Sequence, residues 1–114
     1  MNECLFCNFI NGTITTKIID ENKHVAAFDD INPQAPIHFL IIPKIHITAV
    51  NDLSKINSFY LSEMFLMAKK ISIKKNISKN GYRCVINTGK NGGQTIYHIH
   101  LHVLGGRALS WPPG

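Results

Sequence analysis

The sequence predicts an α+β fold: a five-stranded antiparallel sheet with one long and one short helix. Three observations carry that expectation. Five short runs are rich in aliphatic or aromatic residues and are bounded by glycine, proline, asparagine or aspartate, the residues that turn a chain. One longer segment repeats apolar residues every three or four positions, the spacing of a helix that buries one face. Most elements are joined by tight turns, which favours an antiparallel sheet covered on one face by the long helix.

Taken in order, residues 5–10 read as the short helix, ended by Asn11-Gly12, where glycine takes a left-handed cap. Residues 14–20 and 25–28 read as strands joined at Glu21-Asn22-Lys23, and residues 29–36 as a loop restricted by two prolines. Residues 38–43 are almost continuously apolar, as in a central strand buried on both faces, and Pro43 ends the run. Leu53, Ile56, Tyr60, Met64, Met67 and Ile71 form the stripe of the long helix. Asn51, Asp52 and Ser54 offer N-cap oxygens, and Asn80-Gly81 marks the break after it. Residues 82–87 are the fourth strand and residues 88–95 a glycine-rich loop. That loop delivers the chain into a last strand, and the tail that follows is too short for another element, so Trp111 is expected to be buried elsewhere. The chain is read as one domain, 1–114, with no linker or repeat.

Composition excludes several classes. No apolar run reaches the roughly 18 residues of a membrane span, and no signal-peptide pattern opens the chain, so a soluble cytoplasmic protein without a membrane partner is expected. The formal charge of +5 comes mostly from lysines between Lys69 and Lys79. They lack interleaved aromatic residues, which fits a solvated helix end better than a nucleic-acid surface. Three cysteines cannot all pair, so a disulfide framework is not expected. Cys84 lies in an apolar run and reads as a small buried hydrophobe. Cys4 and Cys7 form a C-x-x-C with only three residues before it, too few for the strand that a redox motif wants, which favours a metal.

The last strand carries the chemistry. His98, His100 and His102 alternate with Ile99, Leu101 and Val103, so the aliphatic residues face the core and the imidazoles the other side, roughly 7 Å apart. Imidazole serves as nucleophile, proton donor or metal ligand near neutral pH. In the preceding loop, Gly89, Gly92 and Gly93 let peptide N–H groups approach an anion. A phosphate held there would meet the histidines, an arrangement suited to attack on phosphorus and protonation of a leaving group.

The run His98-Ile99-His100-Leu101-His102-Val103-Leu104 resembles the signature of the histidine triad family, three histidines alternating with apolar residues. Residues 28–36, the run to Pro43-Lys44-Ile45-His46, Gly92-Gly93-Gln94-Thr95 and the terminal Trp111-Pro112-Pro113-Gly114 resemble its Hint branch. The resemblance implies that family's five-stranded fold, purine nucleoside phosphoramidase activity and a homodimer with a sheet continuous across its interface; no organic cofactor is implied. It makes His100 the nucleophile of a nucleotidyl-histidine intermediate, with one ring nitrogen donating to a backbone carbonyl. His102 and Asn87 are expected on the phosphate oxygens, Gly93, Gln94 and Thr95 around the phosphate and leaving group, Asp30 on the ribose hydroxyls and Ile31 beside the base. Where the branch often has serine, this chain has Thr95. Cys4, Cys7, His46 and His98 match a structural zinc set found in the galactose-1-phosphate uridylyltransferase branch. His98 would thus belong to both the triad and the metal shell. Other readings are a dinucleoside polyphosphate hydrolase and a nucleotide- or zinc-binding regulatory module.

Overall fold

A computed structural model describes residues 4–114 of the chain. Its elements run α1 (Leu5–Ile10), β1 (Ile18–Glu21), β2 (Val25–Asp29), β3 (Ile37–Pro43), α2 (Phe59–Lys74), β4 (Tyr82–Val85) and β5 (Leu101–Gly105), with a single 3₁₀ turn at Val50–Asp52. The strands form one antiparallel sheet in the order β1-β2-β3-β5-β4. The α+β fold expected from the sequence is therefore the fold observed.

The apolar run at β3 is buried on both faces, as its sequence predicts. Phe39 and Ile41 join Val25, Ala27, Leu101 and Val103 under Met64, Met67, Ala68 and Ile71 of α2. Leu40 and Ile42 point the other way and pack with Ala26, Phe28 and Phe6 of α1. A period of two on strands, set against three-and-four on α2, thus sorts the apolar residues into two layers. Phe6 anchors the small helix from beneath, its ring edge-on to Phe28 at 5.4 Å.

Element boundaries depart from the sequence reading in four places. The first strand pairs only from Ile18, since residues 14–17 make no ladder bonds. The long helix begins at Phe59 and not near Leu53. Ser54 does act as a cap, its Oγ accepting from the N–H groups of Ile56 and Asn57, but it caps the turn that leads into α2 and not the helix itself. Ile56 accordingly leaves the apolar stripe and is 87% exposed. The fourth strand stops at Val85, leaving residues 86 and 87 unpaired. Trp111, expected to be buried, is 81% exposed in the single chain.

The last difference matters most. The alternating histidine segment is a strand only from Leu101. The register pairs Ile41 with Leu101, so continuing it would set Pro43 opposite Ile99. Proline has no N–H to give the ladder, and pairing ends there. The Pro43 carbonyl instead accepts from Nε2 of His98 at 2.9 Å, and the Ile99 N–H turns to the Ile47 carbonyl at 2.7 Å. His98 and His100 thus sit on an irregular segment that leads into β5, and only His102 stands on the strand. The inward residues keep their alternation, with Ile99, Leu101 and Val103 all buried.

Candidate active site and metal centre

Where β5 meets the loop after β2, the sheet opens into a cavity of about 370 Å³. Its apolar wall comes from α1 and the strands: Leu5, Phe6 and Phe9 face Phe28, Leu40 and Ile96, with Ile31 at the rim. Its polar floor holds Asp30, His38, His100, His102 and Thr95. Ile31 is fully exposed at that rim, free to lie against an apolar ligand face. An apolar slot running into a carboxylate on one side and imidazoles on the other fits a flat base joined to a polar sugar phosphate.

Hydrogen bonds fix which nitrogen of each ring carries the proton. His100 directs Nδ1 at the carbonyl of His98, 2.8 Å away, and a carbonyl only accepts. Nδ1 therefore carries the hydrogen, leaving a lone pair on Nε2, the state a nucleophile needs. Burial lowers the pKa of His100 from its ordinary value and keeps that lone pair unprotonated near neutrality. The Phe6 ring stands edge-on to His100 at 5.1 Å and supplies much of that apolar surrounding.

His102 is set the other way. The N–H of Gln34 donates to Nδ1 of His38 at 3.0 Å, so neutral His38 carries its hydrogen on Nε2. That nitrogen lies 3.0 Å from Nδ1 of His102 and 3.4 Å from Oδ2 of Asp30. Nδ1 of His102 accepts, which leaves Nε2–H as its free donor. Burial holds the pKa of His102 down to about 4 and lowers that of His38 as well, so both are neutral at pH 7. One imidazole with a bare nitrogen thus stands beside one with an N–H, ring centres 4.9 Å apart.

The other residues singled out in the sequence are placed around this centre unevenly. Asp30, Ile31 and Thr95 line the cavity; Asn87, Gly93, Gln94 and His98 lie outside its lining. Gln94 is buried with its whole amide bonded: Nε2 donates to the carbonyls of Thr48 and Ile96, and Oε1 accepts from Gly89. The N–H groups of Gly89 and Gly93 are likewise taken by Gln94 and by the Lys90 carbonyl. At Gly92 a side chain would collide with the Thr88 backbone, so this position tolerates only glycine. The loop is a self-braced turn that sets Thr95 at the cavity edge.

His38 was not foreseen. Its signal was a histidine near the start of an otherwise apolar central strand, where a polar side chain has to find buried partners.

A second group of side chains converges behind the cavity. Sγ of Cys4 lies 3.4 Å from Nδ1 of His98, and Sγ of Cys7 lies 3.3 Å from Nδ1 of His46 and 3.5 Å from Nδ1 of His98. All four ligand atoms fall within 4.8 Å of one another. A tetrahedral shell with Zn–S about 2.3 Å and Zn–N about 2.0–2.1 Å has sulfur–nitrogen edges of about 3.6 Å. The tautomer fits too, because Nε2–H of His98 donates to Pro43 and leaves Nδ1 as a ligand lone pair. Burial holds His98 down to about pKa 4, so that lone pair stays free. Asp30, His38 and His102 form another compact group. It lacks this property, for Nε2 of His38 bears a proton while Nδ1 accepts from Gln34, and a metal would need that nitrogen bare.

Fold and floor together define a protein with a cavity for a small ligand beside paired imidazoles. The chain belongs to the HIT domain family, whose model matches residues 11–109. It is 46% identical over 107 residues to the purine nucleoside phosphoramidase of Escherichia coli, covering 94% of this chain and 90% of that one. Among solved structures, a HIT family hydrolase from Legionella pneumophila superposes with a TM-score of 0.95 at 48% identity, covering 98% of this chain and all of that one. A histidine triad protein from Clostridium difficile gives 0.92 at 34% identity, with 96% of each chain covered.

Proposed function

We propose that the protein is a hydrolase cleaving purine nucleoside 5′-phosphoramidates, conjugates of AMP or GMP with an amine, through a nucleotidyl-histidine intermediate. The observation that carries this reading is the bare Nε2 of His100, fixed by the Nδ1–H bond to His98, in a cavity shared with Asp30 and His102. Nε2 of His100 attacks phosphorus, the N–P bond to His100 forms, and the P–N bond to the amine breaks. The departing nitrogen takes a proton, and water then cleaves the intermediate to nucleotide and free His100. His102 holds a phosphoryl oxygen with Nε2–H, Asp30 takes the ribose hydroxyls, and the base lies between Ile31 and the phenylalanine wall. The Gly93–Gln94 turn, its own groups bonded within the protein, holds Thr95 at the cavity edge, where its hydroxyl relays a proton from solvent to the amine.

The relative from Escherichia coli bears the name of this activity and supports the reading. A polyphosphate leaving group would want cations along its exit. Arg107 is committed to the carbonyls of Ala108 and Gln34, and Lys90 is the one other cation in the loop and tail segments beside the site. The expected result is a kcat/KM for an AMP–amine conjugate at least about a hundredfold above that for diadenosine polyphosphates, roughly 2.7 kcal/mol of transition-state stabilisation. Equal or reversed efficiencies would favour a polyphosphate hydrolase.

Zinc in the Cys4, Cys7, His46 and His98 shell belongs to the same proposal, as a structural ion that ties α1 to the segment carrying His100. Reduced thiols suit a cytoplasmic setting. The protein is further read as a homodimer. β4 has one sheet neighbour among the described residues, and Phe65, Leu66 and Ile73 of α2 are exposed together with Trp111. Burying such an edge and such side chains against a second copy removes an aggregation liability. Light scattering at micromolar concentration should give twice the chain mass, and deletion of residues 111–114 should lower activity. A monomer indifferent to that deletion contradicts the dimer.

A further inference from the structure

We propose that Arg107 is a positioning residue, which sets the protonated nitrogen of His102 through the Gln34 peptide and His38. The idea rests on the hydrolase reading above for its kinetic consequence, though not for its structural one. Its basis is a continuous chain of bonds. Nη2 of Arg107 donates to the Gln34 carbonyl at 2.8 Å. The N–H of the same residue donates to Nδ1 of His38, and Nε2 of His38 meets Nδ1 of His102 at 3.0 Å. An N–H donor is the one kind of partner that forbids a proton on Nδ1 of His38. Everything downstream follows, including the donor that His102 turns to the cavity.

The backbone is shaped for this contact. β5 ends at Gly105, and Gly106 takes φ +92°, a conformation that side chains rarely adopt. A Cβ at Gly106 would also approach Pro36 to 3.0 Å. The turn folds the chain back over the loop between β2 and β3, where Arg107 reaches Gln34 and its Nη1 is held by the Ala108 carbonyl at 3.0 Å. Gln34 is exposed, and among the described residues its side chain bonds the nearby Asn32 carbonyl, so the backbone that presents its N–H to His38 gains from an outside anchor. Arg107 provides it from outside the cavity lining.

Ring-¹⁵N NMR of the full chain tests the lock directly, because protonated and bare imidazole nitrogens differ widely in shift. In the unmodified protein His38 and His102 should each show a protonated Nε2 and a bare Nδ1, and His100 the reverse. Arg107→Ala should move the His38 and His102 nitrogens toward averaged values, while His100, held separately by His98, keeps its pattern. Gln34→Pro removes the N–H itself and should do the same with Arg107 in place. Arg107→Lys, which keeps one donor, should restore part of the pattern. On an AMP–amine conjugate kcat should fall about fivefold in the alanine variant with KM little changed, the size of one lost hydrogen bond. His38 and His102 shifts unchanged in both Arg107→Ala and Gln34→Pro would overturn the proposal, as would altered shifts with an unaltered kcat. Absence of turnover in the unmodified protein would instead remove the hydrolase reading, and the ¹⁵N pattern would still decide the lock.

Discussion

Replacing His100 by alanine is expected to lower kcat by at least about ten-thousandfold, because it removes the atom proposed to form the bond to phosphorus. Nucleotide affinity should change little. Binding is assigned to Asp30, to Ile31 and the phenylalanine wall, and to His102, and the side-chain hydrogen bond of His100 goes to none of these. The Nδ1–H bond from His100 ends on the carbonyl of its neighbour two residues back, so the loss stays local. Single-turnover rates with an AMP–amine conjugate, alongside equilibrium binding of AMP, separate the two quantities. A variant that kept near-normal kcat would rule out the covalent step and leave His100 as a wall of the pocket.

The second large effect is expected from Cys4→Ser combined with Cys7→Ser. The unmodified protein, isolated without chelators, should carry about one zinc per chain, and the double variant none. Structural zinc contributes directly to folding free energy, so the melting temperature should fall by about 10 °C or more, as it should when a strong chelator is added to the unmodified protein. The damage should spread to the cavity. Cys4 caps α1 and Cys7 lies within it, so the helix that supplies Leu5, Phe6 and Phe9 to the apolar wall loses its tether. Metal-free protein with unchanged melting would reduce both cysteines to ordinary thiols beside a hydrogen-bonded His98.

The two-layer core could be read from the sequence because each strand reports its own burial. Phe39 and Ile41 against Leu40 and Ile42 is a statement about two faces, and it needs no knowledge of other strands. Ile56 shows the limit of that logic. It keeps helical spacing with Tyr60, yet the chain turns before Phe59 and leaves it in solvent. The start of β5 is decided by Pro43, more than fifty residues away from His98. His38 escaped notice for a related reason: its partners Gln34, Asp30 and His102 are assembled by a loop and a strand crossing. Cys4 and His98 are 94 residues apart, and no spacing rule joins them; their grouping came only through the family resemblance.

Pro43 has a meaning beyond the end of a ladder. A regular sheet holds every residue by repeating one bond, and repetition leaves no side chain free to differ from its neighbours. By withholding a single donor, this proline interrupts the repeat at the point where the chain must turn three imidazoles to three different partners. His98 inherits the vacated carbonyl and becomes fixed for one partner; His100, bonded in turn to His98, is readied for another; His102, back on the strand, answers to a third. The division of labour among three identical side chains thus begins with one residue that has nothing to donate.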